Sequence, residues 1–208
     1  MQNLSAKWML IVTLTSFLII GCAGTKKVEQ EARVSTPATG AAADAKVPPG
    51  ARQEYDKAIA AMKSGNIPAA KNILSNLTRT NPELSGPYVN LGIIHFRADE
   101  IDQAEEAFKQ ALKVNPESAV SLNHLGIINR GKGKFTEARS NYEKALDIDP
   151  SYAYAHLNYG ILLDLYFGEY EDALKHYQKF QELAPEQDKQ EVAKWIADLE
   201  LRIKRSRN

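Results

Sequence analysis

The chain has 208 residues, with 26 basic and 26 acidic side chains and a single cysteine, Cys22. One thiol cannot close an internal disulfide, so packing alone must hold the fold. Balanced charge gives neither the basic footprint of a nucleic-acid binder nor the one-signed excess of a charged tail.

Residues 1–7 are polar with one cation, Lys7, and residues 8–21 read WMLIVTLTSFLIIG. This apolar run is short of the roughly twenty residues that span a bilayer and suits the core of a signal peptide, residues 1–21. Ile19-Ile20-Gly21-Cys22 resembles the bacterial lipoprotein signal: branched aliphatic, small or aliphatic, small, then cysteine. The resemblance implies cleavage before Cys22 and lipidation of its thiol and new N-terminus. Three acyl chains would anchor far more firmly than the marginal hold of one. Ala23 stands where aspartate marks inner-membrane retention in such proteins, so the implied location is the outer membrane, facing the periplasm.

Residues 22–50 form the acylated N-terminus and a linker. The segment AGTKKVEQEARVSTPATGAAADAKVPPG offers almost no large apolar side chain to offset chain entropy, which predicts a disordered leash. A flexible chain of that length has an end-to-end distance of roughly 30 Å.

From residue 51 the sequence repeats. Pro82, Pro116, Pro150 and Pro185 are spaced by 34, 34 and 35, and the first three follow Asn81, Asn115 and Asp149. Aligned on the prolines, Leu91-Gly92, Leu125-Gly126 and Tyr159-Gly160 share a column. Ala70, Ala104, Ala138 and Ala173 share another, as do Leu74, Phe108, Tyr142 and Tyr177, and Leu77, Ala111, Ala145 and Phe180. These columns resemble the tetratricopeptide repeat: small residues let two helices approach, a large one fills the space between hairpins, and proline ends the second helix. The fold expected is an all-α solenoid of about four hairpins, 51–84, 85–118, 119–152 and 153–187. The first is degenerate, with Lys57-Ala58 in place of Leu-Gly, and the fourth has one extra residue near Tyr166-Phe167-Gly168 that lengthens its turn. Val192, Trp195, Ile196, Leu199 and Ile203 share one face of a last helix, so 188–208 reads as a cap and tail.

The resemblance implies that the first helix of each hairpin lines a groove for a protein or peptide. The positions that point into it are Tyr55 and Lys63 in hairpin one and Asn90, Phe96 and Arg97 in hairpin two. Asn123, His124 and Arg130 follow in hairpin three, and Tyr154 and Asn158 in hairpin four. Lys63, Arg97 and Arg130 make a basic row. Polar positions are expected to be the open ones, since unpaired buried charge is costly, while aliphatic positions such as Ile93, Ile127 and Ile161 serve packing equally well. Asp164 belongs to the same groove set. The ligand implied is an extended or helical segment with apolar anchors and some acidic character.

No chemistry is expected. The four histidines are scattered without a partner at metal spacing, Gly131-Lys132-Gly133-Lys134 lacks the full phosphate-loop pattern, and no catalytic residue, cofactor or metal is assigned. The reading is a monomeric, non-enzymatic interaction scaffold of the bacterial envelope, without nucleic-acid or small-molecule substrate. A type IV pilus pilotin-like assembly factor, a peptidoglycan-hydrolase adaptor and a TonB-associated component share this architecture. An enzyme with a groove active site is the alternative of a different class.

Overall fold

The computed structural model describes residues 47–207; the expected signal peptide, Cys22 and nearly all of the expected linker lie outside them. The described residues are all-helical and form four antiparallel hairpins followed by one more helix. The hairpins pair α1 (Pro49–Lys63) with α2 (Ile67–Thr80), α3 (Ser85–Arg97) with α4 (Ile101–Val114), and α5 (Ala119–Gly131) with α6 (Phe135–Ile148). The fourth pairs α7 (Ala153–Leu162) with α8 (Tyr170–Leu183), and α9 (Glu186–Ser206) closes the array. Each second helix also packs on the first helix of the next hairpin.

Local chemistry sets these boundaries. Asn81, Asn115 and Asp149 precede proline, which pushes a residue out of the α region. Their φ values of −137°, −131° and −132° end α2, α4 and α6. The Asn115 and Asp149 side chains then accept the backbone N–H of Glu117 and Ser151, at 3.1 and 3.0 Å, turning the chain into the next hairpin. Within hairpins the reversal needs a left-handed residue, supplied by Gly65, Asp99, Gly133 and Gly168. Asp99 shows that aspartate tolerates a conformation otherwise left to glycine.

The columns of the repeat are contacts. A Cβ on Gly92 would lie 2.6 Å from the Phe108 ring, one on Gly126 2.5 Å from Tyr142, and one on Gly160 2.7 Å from Tyr177. Glycine in the first helix is therefore what admits the aromatic ring of the second. Ala70, Ala104, Ala138 and Ala173 are fully buried, where a larger side chain would force the helices apart. In hairpin one both members of the pair change together. Ala58 takes the glycine position and Leu74 the aromatic one, and both are fully buried, so a larger first residue is matched by a smaller second.

Two features differ from the sequence expectation. The extra residue of hairpin four does not lengthen the turn; α7 runs into a π-helical turn, Leu163–Phe167, that absorbs it before Gly168. Helix α9 is more than a lid. It continues the repeat as a fifth first helix, with Val192, Leu199 and Ile203 buried and Trp195 and Ile196 partly so. Tyr154 donates to Asp188, 34 residues on, at 2.6 Å. Arg202 reaches back to the buried Asp164 at 2.8 Å and 3.1 Å.

Candidate functional site

Successive first helices touch one another, α3 with α5 and α5 with α7, so their outward sides form one continuous face. The positions expected on it can be followed junction by junction.

Between hairpins one and two, Asn90 is buried and its amide donates to the Tyr55 hydroxyl at 2.6 Å and to the Gly86 carbonyl at 3.0 Å. A side chain at Gly86 would strike that hydroxyl at 2.9 Å. Burial pushes the Tyr55 phenol up to about 12. Between hairpins two and three, His124 is buried, stacked on Phe108 at 4.7 Å and met edge-on by Phe96 at 5.6 Å. Its Nδ1–H donates to the Val120 carbonyl at 2.8 Å. Desolvation pulls the ring down to about 4, with the Arg97 charge acting in the same direction.

Between hairpins three and four, Asn158 donates to Asn123 Oδ1 at 3.0 Å, and Asn123 in turn faces the Tyr152 hydroxyl at 3.4 Å. Both amides are buried. Arg130 is half-buried and its guanidinium donates to the Asn158 carbonyl at 3.3 Å. Tyr154, half-buried, packs edge-on against Phe180 and is tied to α9 through Asp188.

The expectation that polar positions are the open ones is thus corrected at Asn90, Asn123, His124 and Asn158. Each finds at least one hydrogen-bond partner on its own or a neighbouring element, which lowers the cost of burial, although Asn158 Oδ1 is buried without a partner among the described residues. Asp164 is likewise buried, its carboxylate held by Arg202 and the Tyr177 hydroxyl. The aliphatic positions divide: Ile93 is buried, whereas Val89, Ile127 and Ile161 remain half-exposed, as do Phe96 and Arg130. Arg97 and Lys63 are exposed at the C-terminal ends of α3 and α1, where the helix dipole favours cations. What the face offers to another molecule is therefore an apolar strip with a basic edge, Lys63, Arg97 and Arg130, and few free amides.

Sequence reasoning missed the contributions of α9, Asp188 and Arg202, although Asp188 lies one period beyond Tyr154. It also missed the approach of His156 and His176. Among the described residues no group of three or more His, Cys, Asp or Glu side chains is placed to hold a metal ion, and no helix is long and apolar enough to cross a membrane.

A tetratricopeptide repeat family model matches residues 83–151 and 117–186, which together span half of the chain. A comparison with curated proteins found no match. Solved structures share the architecture. The Pseudomonas aeruginosa protein pilF matches with a TM-score of 0.64 and 20% identity, covering 74% of this chain and 69% of that one. TTC0263, a thermophilic TPR protein of Thermus thermophilus, matches with a TM-score of 0.57 and 22% identity over 73% and 81%. MamA matches with a TM-score of 0.55 and 23% identity over 68% and 82%.

Proposed function

The chain belongs to the tetratricopeptide repeat family, and from this premise we propose that it is a non-enzymatic scaffold that grips another protein of the bacterial envelope. The observation that carries the reading is the first-helix face. It is continuous across the hairpins, and its open part combines Val89, Phe96, Ile127 and Ile161 with three cations, of which Arg130 donates to a backbone carbonyl. A half-buried guanidinium is a strong anchor for a carboxylate. The partner that fits is a segment with apolar anchors and an acidic residue beside them.

The anchor is proposed from the sequence of residues 1–22: acylation at Cys22 would hold the hairpins at the outer membrane on a leash facing the periplasm. Similarity of fold does not choose among the pilotin-like, hydrolase-adaptor and TonB-associated roles; the captured partner does. Replacing Arg97 and Arg130 together by Glu should abolish capture of that partner from solubilised envelopes while the helical spectrum stays intact. Capture that persists removes the face from the mechanism. Separately, Cys22→Ser should move the protein from the membrane to the soluble fraction, and unchanged fractionation sinks the lipoprotein reading.

A further inference from the structure

Away from the first-helix face, a single side-chain hydrogen bond fastens the two helices of hairpin four. His156 on α7 and His176 on α8 place their Nδ1 atoms 2.9 Å apart with ring centroids at 5.2 Å, so the rings meet nitrogen to nitrogen. One nitrogen must donate and the other accept. The far side of His156 decides which. Its Nε2 lies 3.0 Å from the Pro150 carbonyl, which only accepts. Nε2 of the neutral ring therefore carries the proton, Nδ1 of His156 holds the lone pair, and Nδ1–H of His176 donates to it. The pair thus joins α8 to α7, and α7 to the end of hairpin three. The His176 ring also rests on Tyr159 at 4.6 Å, whose hydroxyl donates to Glu143 of α6 at 2.7 Å.

The carboxylates that act on the pair are already engaged. Asp149, at the end of α6, accepts from the Ser151 N–H and hydroxyl at 3.0 and 2.6 Å. On α8, Glu182 pairs with Lys179 and Asp172 with Lys175, each at 2.7 Å, and Glu143 is taken by Tyr159. We propose that His156 and His176 form an acid-operated latch: their bond survives one proton, and the second breaks it and parts α8 and α9 from α7. Proton counting sets the order. A first proton at Nε2 of His176 leaves Nδ1–H in place, and the bond becomes charge-assisted. The next must go to the Nδ1 lone pair of His156, the very atom that accepts. Two cationic N–H donors then face each other at hydrogen-bond distance, and every carboxylate named above is held elsewhere. Burial disfavours the charged form of both rings; for His176, pulled down to about 4, the neighbouring His156 adds to it. The closed hairpin therefore binds fewer protons than the open one, and its stability is lost as pH falls from about 6.5 towards about 4. Opening can stay local, because each repeat of such an array contacts only its neighbours and this hairpin lies near one end.

The test is hydrogen exchange of the purified full-length chain between pH 7.5 and 4, read by peptide mass spectrometry and corrected for the intrinsic pH dependence of exchange. One ring held at about 4 in the closed form and about 6.5 in the open form raises the opening equilibrium about thirtyfold from pH 7.5 to pH 5. That rise is expected in α8 and α9 and not in α1–α4. Nuclear magnetic resonance of the histidine rings should show the pair titrating in two coupled steps, with the loss of protection following the second. His176→Asn keeps an N–H donor at the same point without a titrating group, and should cut the rise to a few-fold. His124→Asn, which removes the buried ring of α5, should keep it. If His176→Asn melts below the wild type at pH 7.5, His156→Asn replaces it, since its Oδ1 accepts where Nδ1 did. Exchange in α8 and α9 that tracks α1–α4 at every pH overturns the latch. So does a rise that persists undiminished in the hairpin-four variant, or a pair of rings that titrate independently.

Discussion

Glycine at position 126 is the sharpest test of how the hairpins are built, because two effects of known size oppose each other there. Gly126→Ala removes a helix-interior glycine, which by propensity alone would stabilise by about 1 kcal/mol. Its new methyl would sit 2.5, 2.7 and 2.8 Å from three atoms of the Tyr142 ring. Non-bonded carbons rest at about 3.5–4.0 Å, so the ring must retreat by about 1 Å. Tyr142 cannot easily do so: it is fully buried and stacked over Tyr159 at 6.0 Å. Overpacking of this kind costs about 1–3 kcal/mol, and a ring with no free side puts this site at the upper end. The net effect is a loss of about 2 kcal/mol, or about 4–8 °C in Tm for a domain of this size. Thermal melts followed by circular dichroism read it directly. Gly131→Ala supplies the control, since a Cβ there meets nothing within 4 Å, and its melting point should hold or rise. In a Tyr142→Leu background the clash is relieved and Gly126→Ala should become neutral or stabilising. A Gly126→Ala protein that melts at or above the wild type would refute the packing argument, as would a penalty that persists in the Tyr142→Leu background.

Three further outcomes follow from the same geometry. His124 titrates near 4 in the fold against about 6.5 unfolded, so the unfolded chain binds more protons between those values and stability falls as pH drops from about 6.5 to about 4. At pH 4.5 this ring accounts for a loss of about 2–3 kcal/mol relative to neutral pH, which urea melts should show as a smaller pH dependence in His124→Asn than in the wild type. Asp164→Ala removes the carboxylate that holds Arg202 and the Tyr177 hydroxyl; a loss of about 3 kcal/mol is expected, with faster proteolysis in 186–207 than elsewhere, and unchanged cleavage there would show that the pair does not dock α9. Asn123→Ala strands the buried Asn158 amide and should cost about 1–3 kcal/mol, a loss that chemical denaturation would reveal and that Asn123→Ala/Asn158→Leu should partly recover.

The period of the fold was legible because packing imposes it. Gly92, Gly126 and Gly160 recur with Phe108, Tyr142 and Tyr177 since each ring needs its glycine, and the prolines recur since each second helix must stop. The candidate face was less legible. A sequence column shows that Asn90, His124 and Asn158 stand on successive first helices, but not that their partners, Tyr55, Val120 and Asn123, lie on their own or neighbouring turns and bury them. Hairpin one looked degenerate when Lys57-Ala58 was taken alone; its sense lies in Leu74, sixteen residues on. The His156–His176 approach left no signal at all, because two helices of a hairpin meet at a register that residue spacing does not display.

The last helix departs from the small-residue column, and the order of the hairpins has a separate physical cause. The column of Gly92, Gly126 and Gly160 reaches Lys194 on α9, or Trp195 when aligned on Pro185. Neither is as small as the glycine that admits a second-helix ring in hairpins two to four. Order is written in charge. Lys71 pairs with Glu100, Glu105 with Lys132, and Arg139 with Glu169; the three residues on the second helices share one column, and their signs alternate. Lys109 and Lys132 together hold the Glu105 carboxyl down to about 2. As half-exposed pairs each is worth only about 0–1 kcal/mol, too little to matter for stability. Their effect is comparative: docking hairpin one on the turn of hairpin three would set Lys71 against Lys132, and docking hairpin two on the turn of hairpin four would set Glu105 against Glu169. Hairpins of similar packing are thereby also told apart by charge, which favours assembly of the first-helix face in a single order.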